Sequence, residues 1–146
     1  VVRDNLTEAV YTDATGLGAT PTTKLSGAVV GGRLRRFRAV IPFAAQANGD
    51  TIVLTKVPAG YTFAFGMINA SATFGGTATI AIGIAGATDK YRTAATHTAT
   101  VPTLFGLYTA ADDSPLTAEE TILLTIAAAA LPGSGSAVVD LYFSAP

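Results

Sequence analysis

Few side chains in this 146-residue sequence are equipped for bond-making chemistry. His97 is the one imidazole and there is no Cys, so the nucleophilic mechanism open to the chain is a hydroxyl activated by that histidine. Such a mechanism needs nucleophile, base and orienting group within hydrogen-bond reach. His97 instead lies in Thr96-His97-Thr98-Ala99-Thr100 with no nucleophile elbow nearby, and reads as a surface strand histidine. A zinc site would need several nitrogen or sulfur ligands, which the chain does not supply. Two carboxylate pairs, Asp112-Asp113 and Glu119-Glu120, raise the chemistry of glycoside hydrolysis, which requires two acids about 5–10 Å apart. Each has a sufficient local explanation. The first lies in a Ser-Pro turn, and the second belongs to a short helical turn over 114–120, in which Thr117 and Glu120 have capping-box spacing. Asp112 and Asp113 lack the spacing of a calcium loop. The Gly-rich segments match neither a phosphate-binding loop nor a dinucleotide fingerprint. No catalytic residue, metal site or cofactor is expected.

Charge is scarce, at 13% of residues, and one feature stands out: Arg33, Arg35, Arg36 and Arg38 hold four of the nine Lys and Arg residues. Nucleic-acid binding would want aromatics interleaved with the basic residues and a positive field, but only Phe37 is interleaved and the net charge is −1. The cluster reads as a basic junction for an acidic partner surface. Neither nucleic acid nor membrane is an expected partner. The longest apolar candidate, 121–131, is too short to span a bilayer. The opening Val1-Val2-Arg3-Asp4 has no apolar stretch of the signal-peptide kind behind it, so a cytosolic product is expected.

The elements that would carry these residues change character near Leu34. Residues 1–33 form a Gly-, Thr- and Pro-containing leader whose apolar residues Leu6, Val10, Tyr11, Leu17 and Leu25 hold no single period. It reads as an extended arm, ordered against a partner or neighbouring subunit, or wrapped on its own domain. From 34 to 146, about eight short β-type runs are separated by turn residues every 8–12 positions or so, the spacing of an all-β sandwich. The first, 35–45, alternates Phe37, Ala39, Ile41 and Phe43 against Arg36, Arg38 and Val40, with Pro42 favouring an edge position or a bulge. Asn48-Gly49-Asp50 then suggests a hairpin into 51–57. Run 61–70 places Tyr61, Phe63, Phe65 and Met67 on one core-facing side. Run 77–84 sets Ala78, Ile80, Ile82 and Ile84 against Thr77, Thr79, Ala81 and Gly83, a small-residue face that another backbone or subunit could approach closely. Strands over 90–98 and 104–108 follow. Run 121–130 is strand-like, although its alanines leave helix as a rival. The last run, 137–144, alternates Val139, Leu141 and Phe143 with Val138, Asp140 and Tyr142.

Several stretches of the β region resemble small virion proteins from the head modules of tailed bacteriophages, especially jelly-roll capsid decoration, or cement, proteins. They are Ala47-Asn48-Gly49-Asp50-Thr51-Ile52 leading to Val57-Pro58-Ala59-Gly60, Thr79-Ile80-Ala81-Ile82-Gly83 before Asp89-Lys90-Tyr91-Arg92, and Pro115-Leu116-Thr117-Ala118-Glu119-Glu120 followed by Val138-Val139-Asp140-Leu141-Tyr142-Phe143. These are scaffold motifs, so the resemblance carries over no catalytic residue. It implies a jelly-roll β-sandwich and a non-enzymatic protein on the outer capsid surface, with the major capsid protein as partner and a homotrimer as the common state. A receptor- or glycan-binding virion domain, for which Tyr61, Tyr91 and Tyr108 are candidate contacts, and a head-completion or tail component are the alternatives. For contact with capsid or neighbouring subunit, the candidates are Leu6, Val10, Tyr11, Leu17, Leu25, Arg33, Arg35, Arg36 and Arg38.

Overall fold

The computed structural model describes residues 33–112 and 115–146. Eight strands run in the order β1 (Arg33–Pro42), β2 (Thr51–Val57), β3 (Thr62–Ala70), β4 (Thr79–Ile84), β5 (Ala87–Thr96), β6 (Thr103–Phe105), β7 (Glu120–Ala127) and β8 (Ser136–Ala145), with one short helix, α1 (Tyr108–Asp112), between β6 and β7. They build two four-stranded antiparallel sheets: sheet A in the order β1-β8-β3-β6 and sheet B in the order β2-β7-β4-β5.

The pairing is nested. β1 pairs with β8, β2 with β7, β3 with β6 and β4 with β5, so the chain forms one long antiparallel ribbon that rolls up until β8 also meets β3 and β7 also meets β4. That is the jelly-roll arrangement of an all-β sandwich. Among the described strands, only β4 and β5 are joined as a hairpin, through Ala85-Gly86, where Gly86 supplies a φ of 87°.

The expected hairpin from 35–45 into 51–57 does not form, because β1 and β2 lie in different sheets. Loop 43–50 runs instead along the loop between β7 and β8. Phe43 N–H donates to the Gly135 carbonyl (2.9 Å), Ala45 N–H to Pro132 (3.1 Å) and Gly49 N–H to Ile126 (2.8 Å), while Leu131 N–H donates back to Gln46 (2.9 Å). The turn at Asn48-Gly49-Asp50 is real, with Gly49 at φ 95°, but its strand partner is the far end of β7.

The core lies between the sheets and draws on every long strand. Ile41, Val57, Ile68, Ile80, Ile82, Ile122, Leu124, Ile126, Leu141 and Phe143 are fully enclosed, each contributing about 1.5–3 kcal/mol through burial. At one end, Phe143 meets Phe37, Phe63 and Tyr91 at ring separations of 5.7, 5.3 and 6.0 Å. In β7 the strand alternation prevails over the helix propensity of its alanines, because Ile122, Leu124 and Ile126 reach the core only at period two.

Two further expectations are corrected. The short helix occupies Tyr108–Asp112, ahead of the expected turn, and 115–119 has no helix. Glu120 does not cap a helix: it opens β7, and its carboxylate accepts hydrogen bonds from Lys90 Nζ and Tyr91 Oη, both at 2.6 Å. In β3 a bulge between Phe63 and Phe65 breaks the alternation. Phe63 stays in the core, Phe65 turns outward, and Gly66, Ile68 and Ala70 take the inner side. Gly66 has no side chain because the Phe105 ring occupies the space its Cβ would fill.

Candidate partner-binding face

The four arginines all lie on β1, an edge strand as Pro42 suggested, and all are exposed. The pleat divides them. Arg36 and Arg38 stand on the outer side of sheet A, whereas Arg33 and Arg35 share the side of Phe37. Arg38 is committed within the chain: its Nε and Nη2 donate to the two carboxylate oxygens of Asp140 at 2.8 and 2.7 Å. Asp140 is 1% exposed on the outer side of β8. The Arg38 hydrogen bonds hold its carboxyl below the ordinary range against the opposing effect of burial, helped by the positive charges of Arg38 and Arg36. Alternation alone placed Asp140 among the outward residues of β8. The sequence signal for its burial was the cation facing it in register on β1.

Arg36 apart, the side chains flanking this pair on the outer side of sheet A are largely apolar. Tyr142 is paired in register with Arg36 and Phe65, Asp140 with Arg38 and Met67, and Met67 with Leu104. The Phe65 and Tyr142 rings stack at 4.6 Å with 21° between their planes. Leu34, Val40 and Leu104 are 54, 64 and 69% exposed. Beyond β3 the face ends in a cleft of about 450 Å³ between β3, β6 and α1, whose walls include Phe63, Phe65, Leu104, Leu107 and Tyr108. The bulge that turns Phe65 outward therefore supplies both the aromatic stack and one cleft wall.

The other chemistry-bearing residues disperse. His97 is 4% exposed, not on the surface as expected. It packs edge-on to Phe74 at 5.4 Å, and its Nε2 has no hydrogen-bond partner. Burial, then the positive charge of Arg92, push its pKa down, against a contact with the Ala99 backbone. The three tyrosines form no common groove: Tyr91 is fully enclosed, Tyr61 packs against Phe37 at 5.9 Å and Tyr108 is 79% exposed. Among the described residues, no three His, Cys, Asp or Glu side chains cluster as a metal site. Leu6, Val10, Tyr11, Leu17 and Leu25 lie outside the described residues, as does Asp113. The expected close approach to the small-residue face of β4 is made by the chain itself. A Cβ on Gly83 would collide with the backbone of Ala87 and Thr88. On the same sheet, the Arg92 guanidinium donates to the carbonyls of Ile80, Thr93, Ala95 and Thr96.

No family model matches the chain, and no curated protein matches it. Three solved structures share its fold. A chain in the cyanophage Pam1 capsid asymmetric unit superposes with a TM-score of 0.60 at 18% identity, covering 79% of this chain and 86% of that one. A chain in the capsid of Ralstonia phage GP4 gives 0.61 at 18% identity, covering 91% and 94%. A chain in the acid-stable capsid structure of Helicobacter pylori bacteriophage KHP30 gives 0.51 at 11% identity, covering 78% and 94%. The class defined by fold is therefore a jelly-roll sandwich of a kind present in phage capsid structures.

Proposed function

We propose that this protein is a bacteriophage virion structural protein that binds the outer capsid surface as a decoration, or cement, protein, most simply as a trimer on the major capsid protein. The observation that carries the reading is the agreement in fold with chains from three phage capsid structures over 78–91% of this chain. The exposed apolar side of sheet A supports it, since a contiguous apolar surface rimmed by charge suits protein contact. The role is mechanical: it needs no reacting group, and the carboxylates Asp140 and Glu120 already serve within the sandwich.

In this reading residues 1–33 are an arm on the sandwich of 34–146, and the arm together with Arg33, Arg35, Arg36 and Arg38 anchors the protein to the capsid or to a neighbouring subunit. Apolar side chains such as Leu6, Val10, Tyr11 and Leu17 would each contribute about 1–3 kcal/mol on burial before the cost of ordering the segment. The arginines add contacts that weaken with salt. Purified protein mixed with undecorated phage heads should give stoichiometric, lattice-regular density outside the shell, and protein lacking residues 1–32 should fold but occupy far fewer positions. Absence of any binding to heads would overturn the decoration role; full occupancy by the truncated protein would overturn the anchor.

A further inference from the structure

We propose that the open edge of β1 receives an extended acidic segment of another protein, added to sheet A as a further antiparallel strand. The proposal names the chemistry of the partner contact ascribed above to the arginines, and rests on that ascription. The first argument is the backbone. β1 pairs with β8 from Arg33 to Pro42 without a bulge and ends sheet A, so among the described residues no strand meets its other edge. Pro42 fixes which groups point there. It has no N–H to give β8, and its carbonyl accepts from Gln46 Nε2 at 2.7 Å, so Pro42 faces the open edge. An antiparallel strand turns both polar groups of alternate residues toward the same neighbour. Leu34, Arg36, Arg38 and Val40 therefore direct their N–H and C=O groups to that edge as well, a template for strand addition.

The second argument is charge. Arg33 and Arg35 are exposed and form no ion pair among the described residues. Standing two apart on one side of the pleat, they call for carboxylates two apart on the neighbouring strand, because directly opposite residues interact most closely. None of the 10 acidic residues of this chain stands two positions from another, so the chain cannot supply that ladder to itself or to a second copy. A second β1 would set arginines against arginines. The other side of β1 carries Leu34 and Val40, 54 and 64% exposed, beside Arg36. The fitting segment therefore alternates acids, opposite Arg33 and Arg35, with aliphatic residues. Charge selects the partner and its register, and the backbone ladder supplies the affinity.

The test uses the intact protein and a peptide of about ten residues in which Glu and Val alternate. In an NMR titration at neutral pH it should slow amide exchange at Leu34, Arg36 and Val40, while Arg35 and Phe37, whose groups face β8, change little. N-methylation of two valines, whose N–H groups would face β1, should weaken binding at least about tenfold, whereas N-methylation of two glutamates, whose N–H groups would face solvent, should change it less than about twofold. Arg33→Glu/Arg35→Glu should also weaken it at least about tenfold. Equal affinity of the two methylated peptides would reduce the contact to charge alone and overturn the proposal. So would failure of the parent peptide to bind, or tighter binding of a single-stranded DNA of equal charge. Heads decorated by a protein that ignores the peptide would sink this proposal and leave the decoration role standing.

Discussion

Sheet A turns Phe65, Tyr142, Leu104 and Val40 outward around a single ion pair, whereas sheet B sets the smaller Thr79, Ala81, Gly83 and Thr125 on its outer side. Both inner sides are similarly dense with Ile, Leu, Val and Phe, so the contrast does not come from the core. The outer side of sheet B is completed by its own chain: the β5 backbone lies against Gly83, and Arg92 satisfies a row of carbonyls. Sheet A has the larger apolar side chains and nothing among the described residues laid over them. Two sheets of one sandwich thus divide the work, one closing the domain and the other offering surface.

The sharpest way to break that division is to compare one aromatic from each side of sheet A. Phe143→Ala removes the ring at the centre of the aromatic cluster and should cost about 3–5 kcal/mol in urea unfolding, whereas Phe65→Ala, losing a stacked surface ring, should cost under about 1.5 kcal/mol. A comparable loss for Phe65→Ala would make the outer side of sheet A a second core. The ion pair comes next. Arg38→Ala leaves the enclosed Asp140 carboxylate without its partner and should lower the urea midpoint clearly; Arg36→Ala, which breaks no such pair, should move it far less. On sheet B, Gly83→Ala pushes a methyl into the β5 backbone and should cost about 1–3 kcal/mol, while Gly76→Ala, with open space around its Cβ position, should be near neutral.

The smallest effect is a pH dependence. His97 has a lowered folded pKa, so the unfolded chain takes up its proton first, near pH 6.5. Stability should fall as pH drops from there toward the folded value and then level off. Asp140 acts lower: with its pKa held beneath 3.8, its contribution is present above that value and is lost as pH falls through the folded pKa. Unfolding curves from pH 8 to 2 should therefore show two separate declines, and His97→Gln should remove the upper one while leaving the lower.

Much of the sandwich was legible because period-two alternation reports burial directly: Val139, Leu141 and Phe143, like Ile80 and Ile82, are where the pattern placed them. Of the two positions Pro42 allowed, an edge or a bulge, β1 takes the edge. What alternation cannot report is which strands pair, since a turn such as Asn48-Gly49-Asp50 serves a hairpin or a sheet-to-sheet crossing equally well. The bulge in β3 was hidden for a related reason. Phe63 and Phe65 have the same chemistry, and only the partner strand decides that one faces in and the other out. Of the site, the arginines were visible as a cluster and alternation already set Arg36 and Arg38 opposite Phe37, but the capture of Arg38 by Asp140 depends on a residue 102 positions away.

The nested pairing of β1 with β8 also sets an order of events during synthesis. β1 finds its ladder partner only in β8, about 100 residues later, an interval of roughly 5–20 s at common elongation rates. Sheet A therefore cannot close before β8 has emerged, and a β-topology this non-local closes slowly. During that wait an unpaired strand is a template for other nascent chains. Four like charges on β1 oppose edge-to-edge pairing of two such strands, so the charges that edge the finished sheet also disfavour mispairing of the unfinished one.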